Sequence, residues 1–125
     1  MGSTTQTIKP ETTQLNNLII QAIQSNKGKD ICLLDLRGLD GASTDYMIVC
    51  HGSSSTQMNG IITNIEKSVR KEMEMDPFHV EGKNANNWYL IDYFDVIVHV
   101  FSAEKRPFYN IESLWGDAKV ISFSS

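Results

Sequence analysis

The chain of 125 residues is long enough for one domain, which at this size buries roughly two thirds of its unfolded surface. Its net charge of -4 at pH 7 argues against wrapping nucleic acid through backbone phosphates. The polar start lacks the apolar core of a signal peptide, and no run approaches the roughly 18 apolar residues of a membrane span. We therefore expect a cytoplasmic protein, with residues 1–10 as a flexible tail and residues 11–125 as a single domain.

The first half of the chain predicts one helix and two strands. A one-sided stripe of apolar residues predicts a helix over about Thr13–Ser25. The apolar runs Ile31–Leu36 and Tyr46–Cys50 are typical of strands. Because the connection between these two runs is short, we expect them to pair antiparallel.

A second, longer helix is predicted to begin at Ser54. Ser54 and Gln57 have the spacing of a capping box, in which Ser54 Oγ accepts from the Gln57 backbone N–H while the Gln57 side chain reaches back. We expect the helix to end at Asp76-Pro77, because the residue before a proline avoids the α region.

The second half of the chain is dominated by strands. A short strand is predicted at Phe78–Glu81, and a hairpin at Trp88–Ile91 and Val96–Phe101. The second hairpin strand is apolar on both faces, so we expect it to be central in its sheet. A short helix starting near Asn110 and an edge strand at Val120–Phe123 complete the prediction. This order of elements predicts an α/β fold, a mixed β-sheet with helices packed on it.

The residue types that usually carry catalysis do not form a site in the sequence. His51, His79 and His99 have no short ligand spacing to each other or to the cysteines, so no metal site or cofactor is expected. His99 lies inside the apolar run VIVHVF, which favours a hydrogen-bonded core histidine. The turn at Ser53–Ser55 lacks the G-x-S-x-G pattern of a nucleophile elbow.

The turn His51–Ser55 has a second interpretation, because it leads into a helix N-terminus, where free N–H groups and the helix dipole favour anions. A glycine-serine turn followed by acidic strands is similar to that of nucleotidyltransferases. Such enzymes need two or three carboxylates grouped on adjacent strands to bind Mg²⁺, whereas Asp92 and Asp95 come from the distant hairpin. A nucleotidyltransferase-like enzyme or nucleotide-binding protein is therefore the alternative function.

Several short motifs occur in a characteristic order. They are Thr44–Val49, Gly52–Ser55, Glu81-Gly82, Trp88, Asp92, Asp95–Phe101, Arg106, Tyr109 and Leu114-Trp115. With this order and spacing, the chain resembles the ribosomal silencing factors, also called the Iojap family, from about Leu15 to Ala118. It departs from the family at His51, where threonine is common, and at Phe94, where glycine is common. The second departure is notable because a two-residue turn often requires positive φ, which phenylalanine disfavours.

The resemblance implies a non-enzymatic factor that binds the large ribosomal subunit. Such a factor docks on ribosomal protein L-fourteen at the intersubunit face, blocks joining of the small subunit and lowers translation when nutrients are scarce. The resemblance also implies a fold related to nucleotidyltransferases but without their catalytic carboxylates. No membrane is expected among the partners of such a factor. The sequence leaves open whether the free protein is a homodimer.

Aromatic residues are concentrated in the C-terminal third, where Asp92, Asp95 and Glu112 would rim them, a combination that suits an interface with a basic partner. The predicted partner-binding residues are Trp88, Asp92, Tyr93, Asp95, Arg106, Tyr109, Glu112 and Trp115. Two alternatives stay open at this point. Trp88 and Trp115 could belong to the core instead, and Arg106 could either pair with one of the acids or contact ribosomal RNA.

Overall fold

Six strands form one mixed sheet in the computed structural model, which describes residues 10–82, 88–104, 106, 116 and 118–124. The elements are α1 (Pro10–Ser25), β1 (Lys29–Asp35), β2 (Tyr46–Gly52), α2 (Ser55–Met73), β3 (His79–Glu81), β4 (Trp88–Asp92), β5 (Val96–Ser102) and β6 (Lys119–Phe123). The strand order is β3-β4-β5-β2-β1-β6, with every neighbouring pair antiparallel except β2 and β5. The prediction of a mixed α/β sheet is confirmed.

Both helices pack on the same face of the sheet and enclose the larger core. Their apolar stripes meet the side chains that alternate strand residues direct toward them, such as Ile48 on β2 and Val98 on β5. No helix in the described part of the chain is long and apolar enough to cross a membrane.

Strand β5 is central, as its apolar sequence predicted. It pairs with β4 on one side and with β2 on the other. Val96, Val98 and Val100 are fully buried on the helix side, while His99 and Phe101 are buried on the opposite face. The predicted antiparallel pair of β1 and β2 and the terminal edge strand β6 are also confirmed. The predicted short helix from Asn110 lies outside the described residues.

The start of α2 follows the predicted cap in part. Ser54 Oγ accepts from the Gln57 backbone N–H at 3.1 Å, as expected. The Gln57 side chain reaches back one residue further than a capping box requires, because its Oε1 accepts from the Ser53 backbone N–H at 2.6 Å. Its Nε2 donates to the carbonyls of Asn26 and Lys27, which ties α2 to the turn after α1.

The predicted helix ends need two corrections. Helix α1 begins at Pro10 instead of Thr13, since proline is tolerated in the first turn, where its missing N–H has no helical partner. Helix α2 ends at Met73, before Asp76-Pro77, because Glu74 adopts a left-handed conformation with φ of 52°. The Glu74 N–H still donates to the Arg70 carbonyl at 2.9 Å, as in a left-handed helix cap.

The left-handed conformation of Glu74 predicts how a substitution at this position changes the free energy of unfolding. A Cβ at positive φ is strained, and glycine removes that strain, although it also enlarges the conformational freedom of the unfolded chain. We expect Glu74→Gly to raise the free energy of unfolding by about 0.5–1 kcal/mol in urea denaturation. Glu74→Ala removes the same carboxylate but keeps the Cβ, and should show no comparable gain. An equal gain in both variants would assign the effect to the charge and not to the backbone.

Candidate docking surface

The sheet face opposite the helices, called here the second face, carries its own apolar cluster. Its buried members are Leu34, Leu36, Met47, Val49 and Phe101, and its partly buried members are Cys32, Leu39, Ala42, Trp88 and Ala118. Because side chains alternate along a strand, the even-numbered Trp88 on β4 and the odd-numbered His99 and Phe101 on β5 reach this same face. Neither described helix contributes to this cluster, so its partly buried rim is the place to look for a contact with another molecule.

Three flat rings stack across β4 and β5 on the second face. The centroid of Trp88 lies 5.7 Å from that of His99 and 6.1 Å from that of Phe101, with interplanar angles of 5° and 13°. His99 and Phe101 are 5.9 Å apart and also nearly parallel. Cross-strand aromatic pairs of this kind stabilise a sheet beyond the burial of their area. We call these residues the ring stack.

A partly buried hydrogen bond holds the ring stack in place. The indole Nε1 of Trp88 donates to Nδ1 of His99 at 2.9 Å. An indole N–H can only donate, so Nδ1 accepts and the neutral imidazole carries its proton on Nε2. Burial lowers the pKa of His99 to about 4, because a charged imidazolium would lose its hydration in the interior. His99 is therefore neutral at pH 7, with its Nδ1 lone pair already used.

The hairpin turn between β4 and β5, at the opposite end of these strands from Trp88 and Phe101, is held by several hydrogen bonds. Asp92 Oδ1 accepts from the Phe94 N–H at 2.7 Å, and the Asp95 N–H donates to the Tyr93 carbonyl at 3.0 Å. Phe94 lies between those two residues with φ of 76°, which matches the rare γ-turn with positive φ. Thr44 Oγ1 donates to the Phe94 carbonyl at 2.9 Å from the neighbouring loop. The turn therefore does require positive φ, as expected, and Phe94 adopts this strained conformation despite its Cβ.

The predicted site residues Asp92, Tyr93 and Asp95 lie at this turn, whereas Trp88 lies at the other end of β4. Trp88 and Asp92 lie on the second face of β4, where each is partly buried, and Asp95 is partly buried in the turn itself. Tyr93 is only 5% exposed and packs in the helix-side core, so it presents little surface to a partner. The alternation of Tyr89, Ile91 and Tyr93 was the signal for that orientation. The predicted Tyr109, Glu112 and Trp115 lie outside the described residues.

The position of Arg106 decides against one of its two predicted interactions, a pair with Asp92 or Asp95. Its Nη1 lies 3.0 Å from His51 Nδ1 and 3.4 Å from the Lys29 carbonyl oxygen. These residues are at one end of the sheet, whereas the Asp95 carbonyl meets the Tyr46 N–H at the other. From Tyr46 to His51 the strand advances roughly 17 Å. Pairing of Arg106 with Asp92 or Asp95 is therefore wrong, and a contact with RNA stays a prediction.

The turn at His51–Ser55 uses its own donors. The N–H of Ser53 is taken by Gln57 Oε1, the N–H of Gln57 by Ser54 Oγ, and the N–H of Met58 by the Ser54 carbonyl. The N–H groups of Ser53 and Gln57 are therefore already satisfied within the chain, which leaves fewer donors for a phosphate at the start of α2. Among the described residues, no group of three or more His, Cys, Asp or Glu side chains could hold a metal ion.

The list of predicted partner-binding residues omits two exposed aromatic residues. Phe78 and Phe94 are 69% and 66% exposed, and their rings contact each other with centroids 4.6 Å apart. The chain brings them together because the Phe78 N–H donates to the Asp92 carbonyl at 2.7 Å, just before β3. The sequence did carry a signal for Phe94, because this apolar residue stands in a turn between two acids, where a buried position is not expected.

The neutral, buried His99 predicts how stability depends on pH. The ordinary pKa of 6.5 applies to the unfolded chain and about 4 to the folded one, so between these values the unfolded chain binds more protons. Stability should therefore fall as the pH decreases, by roughly 1 kcal/mol between about pH 7.5 and about pH 5.5. We expect His99→Asn, which keeps an oxygen acceptor for Trp88 without titrating, to lose this component in urea unfolding at both pH values.

The matched control is His79→Asn, which removes an exposed imidazole from β3. This variant removes the 3.0 Å pair between the His79 imidazole and Glu81, but it should keep the loss of stability on acidification that the burial of His99 causes. If His99→Asn and the wild-type protein lost equal stability on acidification, the neutral state of His99 would be contradicted.

Comparison with known proteins agrees with the fold and identifies the family to which the chain is similar. The family described as ribosomal silencing factor during starvation matches residues 9–125. A Bacillus subtilis protein named ribosomal silencing factor RsfS is 38% identical over 97 residues, which cover 78% of this chain and 80% of that protein. A crystal structure of a Chromobacterium violaceum protein superposes with a TM-score of 0.77 at 36% identity, covering 83% of this chain and 85% of the other.

A more distant relative extends the comparison. A mouse protein named mitochondrial assembly of ribosomal large subunit protein 1 is 24% identical over 101 residues, which cover 79% of this chain but 44% of the mouse protein. The family match spans nearly the whole chain, and the fold of the C. violaceum structure is the same mixed sheet with helices. This chain belongs to the ribosomal silencing factor family.

Proposed function

We propose that this protein binds the large ribosomal subunit and prevents the small subunit from joining it, which lowers translation. The expected contact on the large subunit is ribosomal protein L-fourteen at the intersubunit face. The observation that carries the proposal is the rim of the second face, where partly buried Trp88 lies on the same strand as Asp92 and close in sequence to Asp95. An aromatic ring at one end of β4 and carboxylates at its other end, roughly 13 Å apart, fit an extended contact with a basic protein surface.

The ring stack suits docking because it is already in position. Trp88 is held by its hydrogen bond to His99 and by two ring contacts, so little side-chain freedom is lost when a partner covers it. A large ring with few rotatable bonds gives contact area at low entropic cost. The turn acids add charge complementarity, which raises the association rate with a basic partner.

The same residues are poorly suited to catalysis. With a pKa of about 4 and its Nδ1 lone pair committed to Trp88, His99 is not placed to act as a general base near pH 7. The protein then acts by occupying space on its partner, without making or breaking a bond. The cytoplasm is the compartment in which a protein acting on joining subunits is expected.

Nucleotide binding at His51–Ser55 is the competing function. It is disfavoured because Gln57 and Ser54 already satisfy N–H groups at the start of α2. Isothermal titration with ATP and Mg²⁺ separates the two functions directly. Micromolar binding of the nucleotide would favour the competing function.

The proposed function predicts a change in subunit joining. When purified large and small subunits are mixed under conditions that favour association, prior addition of this protein should lower the yield of joined ribosomes in a sucrose gradient. The protein should sediment with the large subunit and not with the small one, because it covers a surface that the small subunit needs. An unchanged yield of joined ribosomes at saturating protein would contradict the proposal.

The turn acids predict a loss of affinity when their charge is removed. Asp92→Asn combined with Asp95→Asn keeps an oxygen that can accept from the Phe94 N–H, so the turn should persist. We expect cosedimentation with large subunits to weaken by about tenfold, and its salt dependence to decrease, because two rim charges no longer face a basic partner.

The control for this experiment removes the same charge elsewhere. Glu72→Gln combined with Glu104→Gln changes two exposed carboxylates on α2 and after β5. This variant should bind large subunits like the wild-type protein. Equal weakening in the two double variants would show that net charge matters and the position of the acids does not.

A further inference from the structure

Two phenylalanine rings form an exposed apolar pair at the tip of the β4–β5 hairpin. Phe78 and Phe94 are 69% and 66% exposed, and among the described residues they are the most exposed large apolar side chains. Their ring centroids are 4.6 Å apart with an interplanar angle of 48°, so each ring contacts the other while most of its surface faces solvent. We call these two residues the phenylalanine pair.

The backbone conformation of Phe94 lowers the stability of the fold, and the exposed side chain offers little packing to offset this loss. Its φ of 76° lies in the region where glycine is unstrained and a residue with a Cβ is strained. A glycine would fill this turn more easily. The ring contributes to the fold chiefly through its contact with Phe78, which is itself exposed. A strained backbone that exposes an apolar ring does not help the chain fold, but it would help the chain bind a partner that covers the ring.

The strained turn is also rigidly supported. Asp92 Oδ1 accepts from the Phe94 N–H, and Thr44 Oγ1 donates to the Phe94 carbonyl, so both backbone groups of Phe94 are held. The Phe78 N–H is fixed on the Asp92 carbonyl at 2.7 Å. The phenylalanine pair is therefore positioned before any partner arrives, which reduces the entropy lost on binding.

We propose that the phenylalanine pair is an apolar anchor that enters a cleft on a basic protein surface. This inference rests on the proposed function and adds two residues to the docking surface. The charges around the pair select the occupant, because Asp92 and Asp95 flank Phe94 in the chain. These carboxylates would repel the phosphates of RNA, and they would also repel the same tip of a second copy of this chain. A protein that carries lysine or arginine around an apolar cleft fits both the rings and the acids.

The test uses a substitution that should change stability and binding in opposite directions. Phe94→Gly relieves the positive φ and removes the ring, so we expect a melting temperature equal to or above that of the wild-type protein. Affinity for purified large ribosomal subunits, measured by cosedimentation, should fall by about tenfold or more. Phe78→Ser, which leaves the turn residue unchanged, is the second variant and should show the same loss of affinity.

Ile121→Ser is the matched control. Ile121 is an exposed apolar residue, 45% exposed, on β6 at the opposite edge of the sheet from β3. This variant should bind large subunits like the wild-type protein. If it lost affinity as strongly as the two phenylalanine variants, general loss of apolar surface would be the cause and the anchor would be refuted.

The remaining outcomes separate this inference from the proposed function. Wild-type affinity in both phenylalanine variants would overturn the anchor alone and leave the proposed function standing. Failure of the wild-type protein to sediment with large subunits would overturn the proposed function, and with it the anchor. Isolated ribosomal protein L-fourteen should reproduce the loss with Phe94→Gly. A loss seen only with protein-free ribosomal RNA would overturn the choice of a protein partner.

Discussion

The parallel pairing of β2 with β5 is the constraint on which the rest of the molecule depends. Seven residue pairs run in register from Tyr46 opposite Val96 to Gly52 opposite Ser102. Both strands are buried on both faces along most of their length, as parallel neighbours in the middle of a sheet must be. Without this pairing, the helix-side core and the apolar cluster of the second face would both lose their centre.

The direction of that pairing also separates the turn acids from the turn that the sequence offers as the alternative, nucleotide-binding site. Because β2 and β5 run the same way, the turn at His51–Ser55 and Arg106 meet at one end of the sheet. The Asp92–Asp95 turn lies at the other end, where the Asp95 carbonyl accepts from Tyr46. At the first end, the N–H groups of Ser53 and Gln57 are satisfied within the chain, and Trp88 pairs nearby with Phe101. The other end presents the phenylalanine pair and the carboxylates of Asp92 and Asp95. The turn acids and the candidate nucleotide-binding turn therefore lie at different ends of the sheet.

Much of this arrangement could be predicted from residue patterns. The apolar run VIVHVF indicated a central strand, and the Ser54–Gln57 spacing indicated where α2 begins, because both signals are local. The end of α2 at Glu74 could not be predicted in this way, since glutamate carries no preference for a left-handed conformation. The bond from Trp88 to His99 depends on the register of β4 against β5, which the sequence does not specify by itself. The place of Arg106 depends likewise on which strands are neighbours.

The order of strands in the sheet differs from their order in the chain, and this has a consequence for synthesis on the ribosome. Strand β5 is the fifth to be made, yet it lies between β4 and β2, and 43 residues separate the end of β2 at Gly52 from the start of β5 at Val96. The ring stack needs Phe101, and so it cannot assemble until most of the polypeptide has left the exit tunnel. A product terminated before Phe101 would thus lack the ring stack, and with it one part of the surface proposed for recognition.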